Sequence, residues 1–314
     1  MISIGIDLGG TGIQVGVVDQ HGHILHKGSI PTGVGRPYQD IIRDMAECTL
    51  ETVQAAGFTP ADIDWVGIGI PGIADQQTGN VIFCTNMGWR DIPLRDEFRK
   101  HLDVPVYIDN DATVAGLAES VAGVSAGTSS SVFLTLGTGV GGGIVLGGKV
   151  WSGHHGVGSE VGHMILEADG VPCTCGNLGC VERYCSATAI IRMAREMLPT
   201  HPDSVLWTMC DGDLNTINAK MVIDASREGD PVGEKVFRRF VKYLSQTIAT
   251  IVNFLDPEVI VLGGGVSKAG TYLLEAVRAE VPRTLIFKNL PSSRIELAEL
   301  GPDAGIIGAA MLGR

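Results

Sequence analysis

A strand–glycine turn–strand pattern occurs twice in the chain, and it constrains the fold more than any other feature. The first copy predicts strands at Ile2–Leu8 and Ile13–Asp19, joined by a tight turn at Gly9–Gly12. The second copy predicts a strand at Ser131–Leu136 that runs into a glycine turn at Gly137–Gly143. Glycine lets the backbone approach a bound phosphate closely and direct successive N–H groups towards it. Two such turns at matching positions predict two related halves that each present backbone N–H groups to a phosphate.

The remaining segments alternate between the periodicities of strands and helices, which predicts a mixed α/β protein. Further strands are predicted at His23–Ile30, Trp65–Ile70, Val104–Asp109, Ile144–Leu146 and Val259–Leu262. Helices are predicted at Pro37–Ala56, Asp91–Leu102, Asp111–Ala122, Ala187–Met197, Ala219–Arg227, Val232–Leu255, Thr271–Val281 and Ala304–Leu312. Because the second glycine turn leads into a strand and a hairpin turn at Gly147–Gly148, it cannot open a dinucleotide-binding helix.

Composition and charge exclude several classes of protein. The chain has 314 residues, is 45% hydrophobic and carries a formal net charge of −12. This acidity argues against a nucleic-acid or membrane-surface partner, since those partners attract basic proteins. Met1 leads directly into the first strand and the apolar stretches are short, so we expect a cytoplasmic protein without a leader or membrane span.

The cysteines indicate a metal site in place of disulfides. There are seven, an odd number, and four of them lie between positions 173 and 185. Three thiols and one imidazole would fill a tetrahedral Zn²⁺ shell and leave no position open for water, which is typical of a structural site. Cys185 falls outside the spacing and is interpreted as a spare thiol. The predicted ligands are His163, Cys173, Cys175 and Cys180.

The glycine turns and the cysteine cluster together resemble the ROK family (repressors, open reading frames and kinases). Asp7–Thr11, Gly137–Gly143 and Leu262–Val266 resemble its first phosphate, second phosphate and adenosine motifs. The cysteine segment resembles its C-x-C-G-x-x-G-C-x-E signature, with Glu182 as the final glutamate. The resemblance implies a two-lobed actin-like ATPase fold (sugar kinase, chaperone, actin) with a structural zinc loop, and a homodimer.

The resemblance also implies how the chain divides and where nucleotide binds. It implies a small lobe of residues 1–118 plus 301–314, a larger lobe of residues 119–300, and ATP with Mg²⁺ in the cleft between them. Asp7, at the end of a buried strand, could hold the metal ion directly or through water. The predicted nucleotide-binding residues are Asp7, Gly9, Gly10, Thr11, Gly12, Gly137, Thr138, Gly139, Gly141, Gly142, Gly264 and Gly265.

A strand that ends at Asp109 leads into a helix, and the residues at this junction are candidates for sugar chemistry. From the residues alone, Asp111 could be merely the N-cap of its helix. The resemblance instead implies that Asp111 is the catalytic base and that Asn110 binds a sugar hydroxyl. It also implies that Glu160, His163 and Glu182 bind the sugar, held in place by the metal.

These assignments predict phosphorylation of a hexose at its 6-hydroxyl by ATP. The segment Cys84–Trp89 resembles the P-N-x-G-W segment of ROK glucokinases, which favours glucose. Kinases for N-acetylmannosamine, N-acetylglucosamine, fructose or allose remain open alternatives within the family. A sugar-responsive repressor is disfavoured because repressors of the family carry an N-terminal DNA-binding extension, and this chain starts at the first strand.

Overall fold

The computed structural model describes residues 1–314 and contains thirteen strands and ten α-helices. The strands are β1 Ile2–Leu8, β2 Gly12–Asp19, β3 Ile24–Pro31, β4 Ile63–Ile70, β5 Ile73–Asp75, β6 Asn80–Cys84, β7 Trp89–Ile92, β8 Val106–Asn110, β9 Ser130–Leu136, β10 Val140–Leu146, β11 Lys149–Val150, β12 Val259–Gly263 and β13 Arg294–Leu297. The helices are α1 Tyr38–Ala55, α2 Leu94–Arg99, α3 Asp111–Ala122, α4 Glu182–Cys185, α5 Ala187–Met197, α6 Leu206–Met209, α7 Ala219–Arg227, α8 Pro231–Leu255, α9 Thr271–Thr284 and α10 Ala304–Ala310.

Two five-stranded sheets share one strand order. The first is ordered β3-β2-β1-β4-β8 and the second β11-β10-β9-β12-β13. When the strands of each sheet are numbered along the chain, they lie side by side in the order third, second, first, fourth, fifth. In the first sheet the three opening strands are antiparallel, and β4 and β8 then add in parallel. β1 and β9 also show the same succession of buried and half-buried residues. The duplication predicted from the glycine pattern is therefore present in the topology.

The chain divides into two compact units. The first comprises residues 1–133, 143–159 and 299–314, and the second residues 134–142 and 160–298. The lobe boundaries inferred from the resemblance, at 118/119 and 300/301, stay a prediction. None of the helices combines the length and apolarity that crossing a membrane requires.

The C-terminal helix α10 belongs to the first unit because glycines let it lie directly on the sheet. A Cβ at Gly5 in β1 would fall 1.8 Å from the carbonyl oxygen of Ile306, and one at Gly67 in β4 would fall 1.8 Å from that of Ala309. No side chain fits at either distance, so glycine is required at both positions. The core beside this contact is formed by fully buried aliphatic residues such as Ile4 and Ile68.

Most of the predicted elements are present, but two predictions are wrong. The second glycine turn is shorter than predicted, because Gly141, Gly142 and Gly143 lie in β10 and continue the strand. The helix predicted at Asp91–Leu102 is reduced to α2, since Asp91 has a left-handed φ of 51° within β7 and Pro93 stands at the N-cap. Sequence periodicity also missed the small sheet β5-β6-β7, whose strands have three to five residues.

Candidate active site

The first glycine turn joins β1 to β2 and places a carboxylate beside it. The N–H of Gly9 donates to the carbonyl oxygen of Gly12 at 3.0 Å, and the Thr32 hydroxyl donates to the carbonyl of Gly9 at 2.6 Å. Asp7, the penultimate residue of β1, is half-buried, and this burial raises the pKa of its carboxyl group. The carboxylate packs against the backbone of Gly305, whose added Cβ would lie 2.7 Å from Asp7 Oδ2. A cation beside Asp7 would offset the cost of that burial.

The second glycine turn also has three residues between its strands, but its closing hydrogen bond spans one residue fewer, and the turn is tied to a helix. The N–H of Gly137 donates to the carbonyl oxygen of Gly139 at 3.0 Å. The first turn of α5 holds the other side, because Ala187 N–H donates to Gly137 O at 2.8 Å and Thr188 Oγ1 donates to Thr138 O at 2.7 Å. Gly141 and Gly142 follow in β10, so the turn itself is limited to residues 137–139.

A third glycine segment follows β12. Gly264 has a left-handed φ of 83°, and a Cβ there would lie 2.6 Å from the backbone nitrogen of Leu136 in β9. Gly265, which follows it, precedes a short 3₁₀ turn at Val266–Ala269 and is exposed. Conformation and space together therefore require glycine at 264, in a segment that packs on the strand leading to the second turn.

Asn110, and not Asp111, caps the helix that follows β8. The Asn110 side-chain oxygen accepts from the N–H groups of Ala112 and Thr113 at 2.9 and 3.3 Å, and its amide donates to Gly72 O at 2.9 Å. Asp111 is the first residue of α3, is exposed, and accepts from the N–H of Ala112 at 2.7 Å. The N-cap role considered for Asp111 is therefore played by Asn110. The side-chain oxygen and the amide of Asn110 both hold the strand–helix junction.

A buried carboxylate lies directly behind this junction. Asp109 is 3% exposed, and burial raises the pKa of its carboxyl group from 3.8 to about 6. Its oxygens accept from the backbone N–H of Asn110 at 2.7 Å and from the Gln76 amide at 2.6 Å. The position of Asp109 at the strand end is predictable from the sequence, but its contact with Gln76 is not, because no local spacing links residues 33 positions apart.

The four predicted metal ligands are brought together. The ligand atoms of His163, Cys173, Cys175 and Cys180 all lie within 4.8 Å of one another. Cys175 Sγ is 3.6 Å from Cys180 Sγ, and Cys173 Sγ is 3.8 Å from His163 Nδ1. In a tetrahedral zinc site, bonds of about 2.3 Å to sulfur and about 2.1 Å to nitrogen place the ligand atoms roughly 3.5–3.8 Å apart. The donor set and its spacing therefore fit Zn²⁺, with His163 presenting Nδ1 to the cluster.

Glycine and backbone hydrogen bonds shape the loop around these ligands. The N–H of Cys173 donates to Asn177 O at 2.8 Å, and Gly176 and Gly179 take left-handed φ values of 95° and 75°. Burial and the neighbouring thiols raise the pKa of the Cys180 thiol to about 12. A divalent cation supplies the charge that allows such clustered thiols to ionise.

The three predicted sugar-binding residues of this region lie close to the ligands in sequence. Glu160 is exposed and precedes the 3₁₀ turn Val161–His163, whose last residue is a ligand. Glu182 begins α4, two residues after Cys180, and its Oε2 accepts from the N–H of Val140 at 3.1 Å. One carboxylate therefore lies just before the first predicted ligand in sequence, and the other just after the last.

Comparisons with known proteins agree over nearly the whole chain. The model of the ROK family matches residues 3–314. A glucokinase of Thermotoga maritima is 37% identical over 310 residues, which cover 98% of this chain and 96% of that protein. A glucokinase of Halalkalibacterium halodurans is 36% identical over 310 residues, which cover 98% of this chain and 94% of that protein. The crystal structure of a ROK family glucokinase from Streptomyces griseus in complex with glucose and AMPPNP is 34% identical, with a TM-score of 0.82 and 99% of both chains covered.

Proposed function

This chain belongs to the ROK family, and on that premise we propose that it transfers the γ-phosphoryl group of ATP to the 6-hydroxyl of a hexose, with glucose as the preferred acceptor. The observation that carries the proposal is the identity of 36–37% with two glucokinases over 98% of the chain. The Streptomyces griseus relative, whose crystal structure contains glucose and AMPPNP, supports the same pair of substrates.

Asp111 is the proposed general base. The 6-hydroxyl oxygen attacks the γ-phosphorus, its proton passes to the Asp111 carboxylate, and ADP leaves with the electrons of the broken P–O bond. The position of Asp111 supports this role, because it lies directly after β8, at the start of α3, and its side chain is exposed. Asn110 is also proposed to contact a sugar hydroxyl, although its side chain holds the junction as well.

The glycine turns are the proposed phosphate-binding elements. Backbone N–H groups in the two turns bind phosphate oxygens, and the segment at Gly264 and Gly265 binds the adenosine. Asp7 is the proposed anchor for Mg²⁺, directly or through water, because a cation there would offset the burial that raises the pKa of its carboxyl group. Mg²⁺, when bound, neutralises part of the charge on the transferring phosphoryl group. The proposed nucleotide-binding residues are Asp7, Gly9, Gly10, Thr11, Gly12, Gly137, Thr138, Gly139, Gly141, Gly142, Gly264 and Gly265.

The proposed role of Zn²⁺ is structural. With His163 and three thiolates as ligands, the ion has no open coordination position at which to activate a reactant. His163 uses Nδ1 for the cluster, so its Nε2 can bond a sugar hydroxyl, and Glu160 and Glu182 supply acceptors for others. Carboxylates suit this task because sugar hydroxyls are strong hydrogen-bond donors.

The setting in the cell and the assembly follow from the same premise. We infer a cytoplasmic protein, supported by seven free cysteines, since thiols stay reduced there. A homodimer is the assembly proposed from the family resemblance.

A panel of sugars tests the proposal. ADP release is measured with ATP and Mg²⁺ against glucose, fructose, allose, mannose, N-acetylglucosamine and N-acetylmannosamine. We expect the highest kcat/KM with glucose. A higher value for an N-acetylhexosamine, fructose or allose would reassign the substrate within the family. ADP release that no sugar stimulates would contradict the kinase itself.

A further inference from the structure

We propose that Glu182 is a positioning residue for the second glycine turn, through which the metal-binding segment fixes the turn before nucleotide binds. The inference deepens the proposed function and rests on it, because it assigns Glu182 a task beyond contact with the sugar. It concerns Val140, the first residue of β10. Glu182 contacts the N–H of Val140, and Gly162, near the other end of the metal-binding segment, contacts its carbonyl group.

The first contact is a hydrogen bond from the turn to the carboxylate. Glu182 Oε2 accepts from the Val140 N–H at 3.1 Å. A Cβ added at the preceding residue, Gly139, would lie 2.2 Å from the same oxygen. The carboxylate therefore lies directly on the turn, and glycine at 139 is what leaves it room.

The second contact is made by the other part of the metal-binding segment. A Cβ at Gly162 would lie 1.9 Å from the Val140 carbonyl oxygen, so the backbone of Gly162 touches that carbonyl group. Gly162 immediately precedes the ligand His163, and Glu182 follows the ligand Cys180 by two residues. Val140 is thus held at its N–H by one side of the metal cluster and at its carbonyl by the other.

These contacts give the turn a fixed shape in the absence of nucleotide. A backbone N–H bonded to a carboxylate is a charge-assisted hydrogen bond, stronger than one between neutral groups. Because Glu182 accepts from this N–H and Gly139 O accepts from the N–H of Gly137, the N–H groups left to face a phosphate are those of Thr138 and Gly139. A turn that is ordered beforehand loses less entropy on binding, so the affinity for nucleotide rises.

The arrangement also links the two substrates. Glu182 Oε2 holds the turn, and the second carboxylate oxygen can accept from a sugar hydroxyl. One side chain therefore serves the phosphate-binding turn and the sugar, and its position depends on Cys180. Substitution of Glu182 should weaken nucleotide binding even when no sugar is present, which a purely sugar-binding residue would not do.

Two readouts test the inference in the zinc-loaded protein without sugar: hydrogen exchange of the Val140 amide, and the affinity for AMPPNP with Mg²⁺. In E182A we expect exchange at Val140 to accelerate and affinity to fall, each about tenfold, as suits the loss of one charge-assisted hydrogen bond. E182Q should restore part of both, because its amide oxygen can accept the same bond without the charge. E196A is the matched control, since Glu196 forms only an exposed ion pair with Arg192 on α5, and it should change neither.

The outcomes separate this inference from the proposed function. Val140 exchange and AMPPNP affinity at wild-type values in E182A, with only the KM for sugar raised, would overturn it, as would equal losses in E196A. Should E182A not fold, E182D retains the charge but withdraws the carboxylate by one methylene, and the same losses are expected. If the wild-type protein binds no AMPPNP, the proposed function fails, and exchange at Val140 still decides whether Glu182 holds the turn.

Discussion

The two halves of the molecule share a strand order but place their polar groups by different means. In the first half, Asp7 stands at the end of β1, and Asp109 and Asn110 at the end of β8, so the sheet itself carries the side chains. In the second half, Thr135 occupies the place of Asp7, and the nearby carboxylate belongs to Glu182, the first residue of the short helix α4 and two residues past the predicted ligand Cys180. The two halves thus obtain their nearby carboxylates differently, from strand residues in the first half and from a short helix beside the predicted metal ligands in the second.

This difference gives a physical reason for the zinc site proposed in the second half. A strand residue is fixed by its ladder hydrogen bonds and by the burial of its neighbours, as Asp109 is between β8 and Gln76. Glu182, at the start of the four-residue helix α4, has no strand ladder on either side, and ordering an unsupported segment costs about 1–2 kcal/mol per residue in backbone entropy. Ligand bonds from His163 and three cysteines can supply that order in the segment around Glu182.

The largest effect is expected from the first half, at Asp111. In D111N the amide cannot accept the hydroxyl proton, so kcat with glucose should fall by about 10²–10⁴-fold. KM for glucose and for ATP should change little, because the shape of the site is retained. Steady-state kinetics measure this. A kcat near that of the wild type would remove Asp111 from the mechanism and with it the chemical role of the first half.

A smaller effect is expected at Asp109, where burial of a strand carboxylate has an energetic cost. Burial raises the pKa of Asp109 from 3.8 to about 6. Below pH 4 both folded and unfolded states are protonated. Between pH 4 and 6 the unfolded chain releases its proton first, so the free energy of unfolding falls as pH rises, and above pH 6 the deficit is constant.

D109N removes this titration. The stability of D109N relative to the wild type should therefore increase by about 2–3 kcal/mol between pH 4 and pH 7. Urea unfolding at several pH values measures it. D103N, which changes an 82% exposed carboxylate, is the control for removing an acidic side chain. A D109N difference that does not rise above that of D103N would mean that the Asp109 carboxylate is not held in an apolar environment.

The smallest effect compares the two turns directly. A Cβ at Gly139 would collide with Glu182, whereas one at Gly10 would meet only Asn86 Cβ at an ordinary 3.7 Å. G139A should therefore lower the free energy of unfolding by about 1–2 kcal/mol, the cost of displacing a hydrogen-bonded carboxylate. G10A should stay within about 0.5 kcal/mol of the wild type. Equal losses would show that the two turns are supported alike and would contradict the claim that only the second turn is held by a carboxylate.

Sequence predicted the fold well wherever one period dominates a segment. Helices α3, α5 and α7 begin and end at the predicted residues, and the resemblance to the ROK family is confirmed by the family match. The actin-like α/β fold is confirmed by the structural similarity to a ROK glucokinase. Prediction failed where a segment changes type within a few residues, as at Asp91–Leu102, because a left-handed residue and a proline there interrupt one apparent helix.

The candidate site was likewise predictable from the sequence only in part. Cysteine spacing predicted the metal cluster because one short loop carries three of its ligands. The contact between Gln76 and Asp109, and that between Glu182 and Val140, could not be predicted, since each joins residues that only the folded chain brings together. The capping of α3 by Asn110 in place of Asp111 was equally invisible, because both residue types favour that position.

Hydrogen exchange with and without zinc shows whether the metal-binding segment supports only the second half. Zinc is removed by a chelator, exchange is followed by mass spectrometry, and zinc is then added back. We expect faster exchange at residues 137–140 and 160–182, unchanged exchange at residues 7–12 and 106–113, and full recovery with zinc. Equal acceleration in both sets of residues, or none in either, would contradict the claim that the metal-binding loop supports the second half alone.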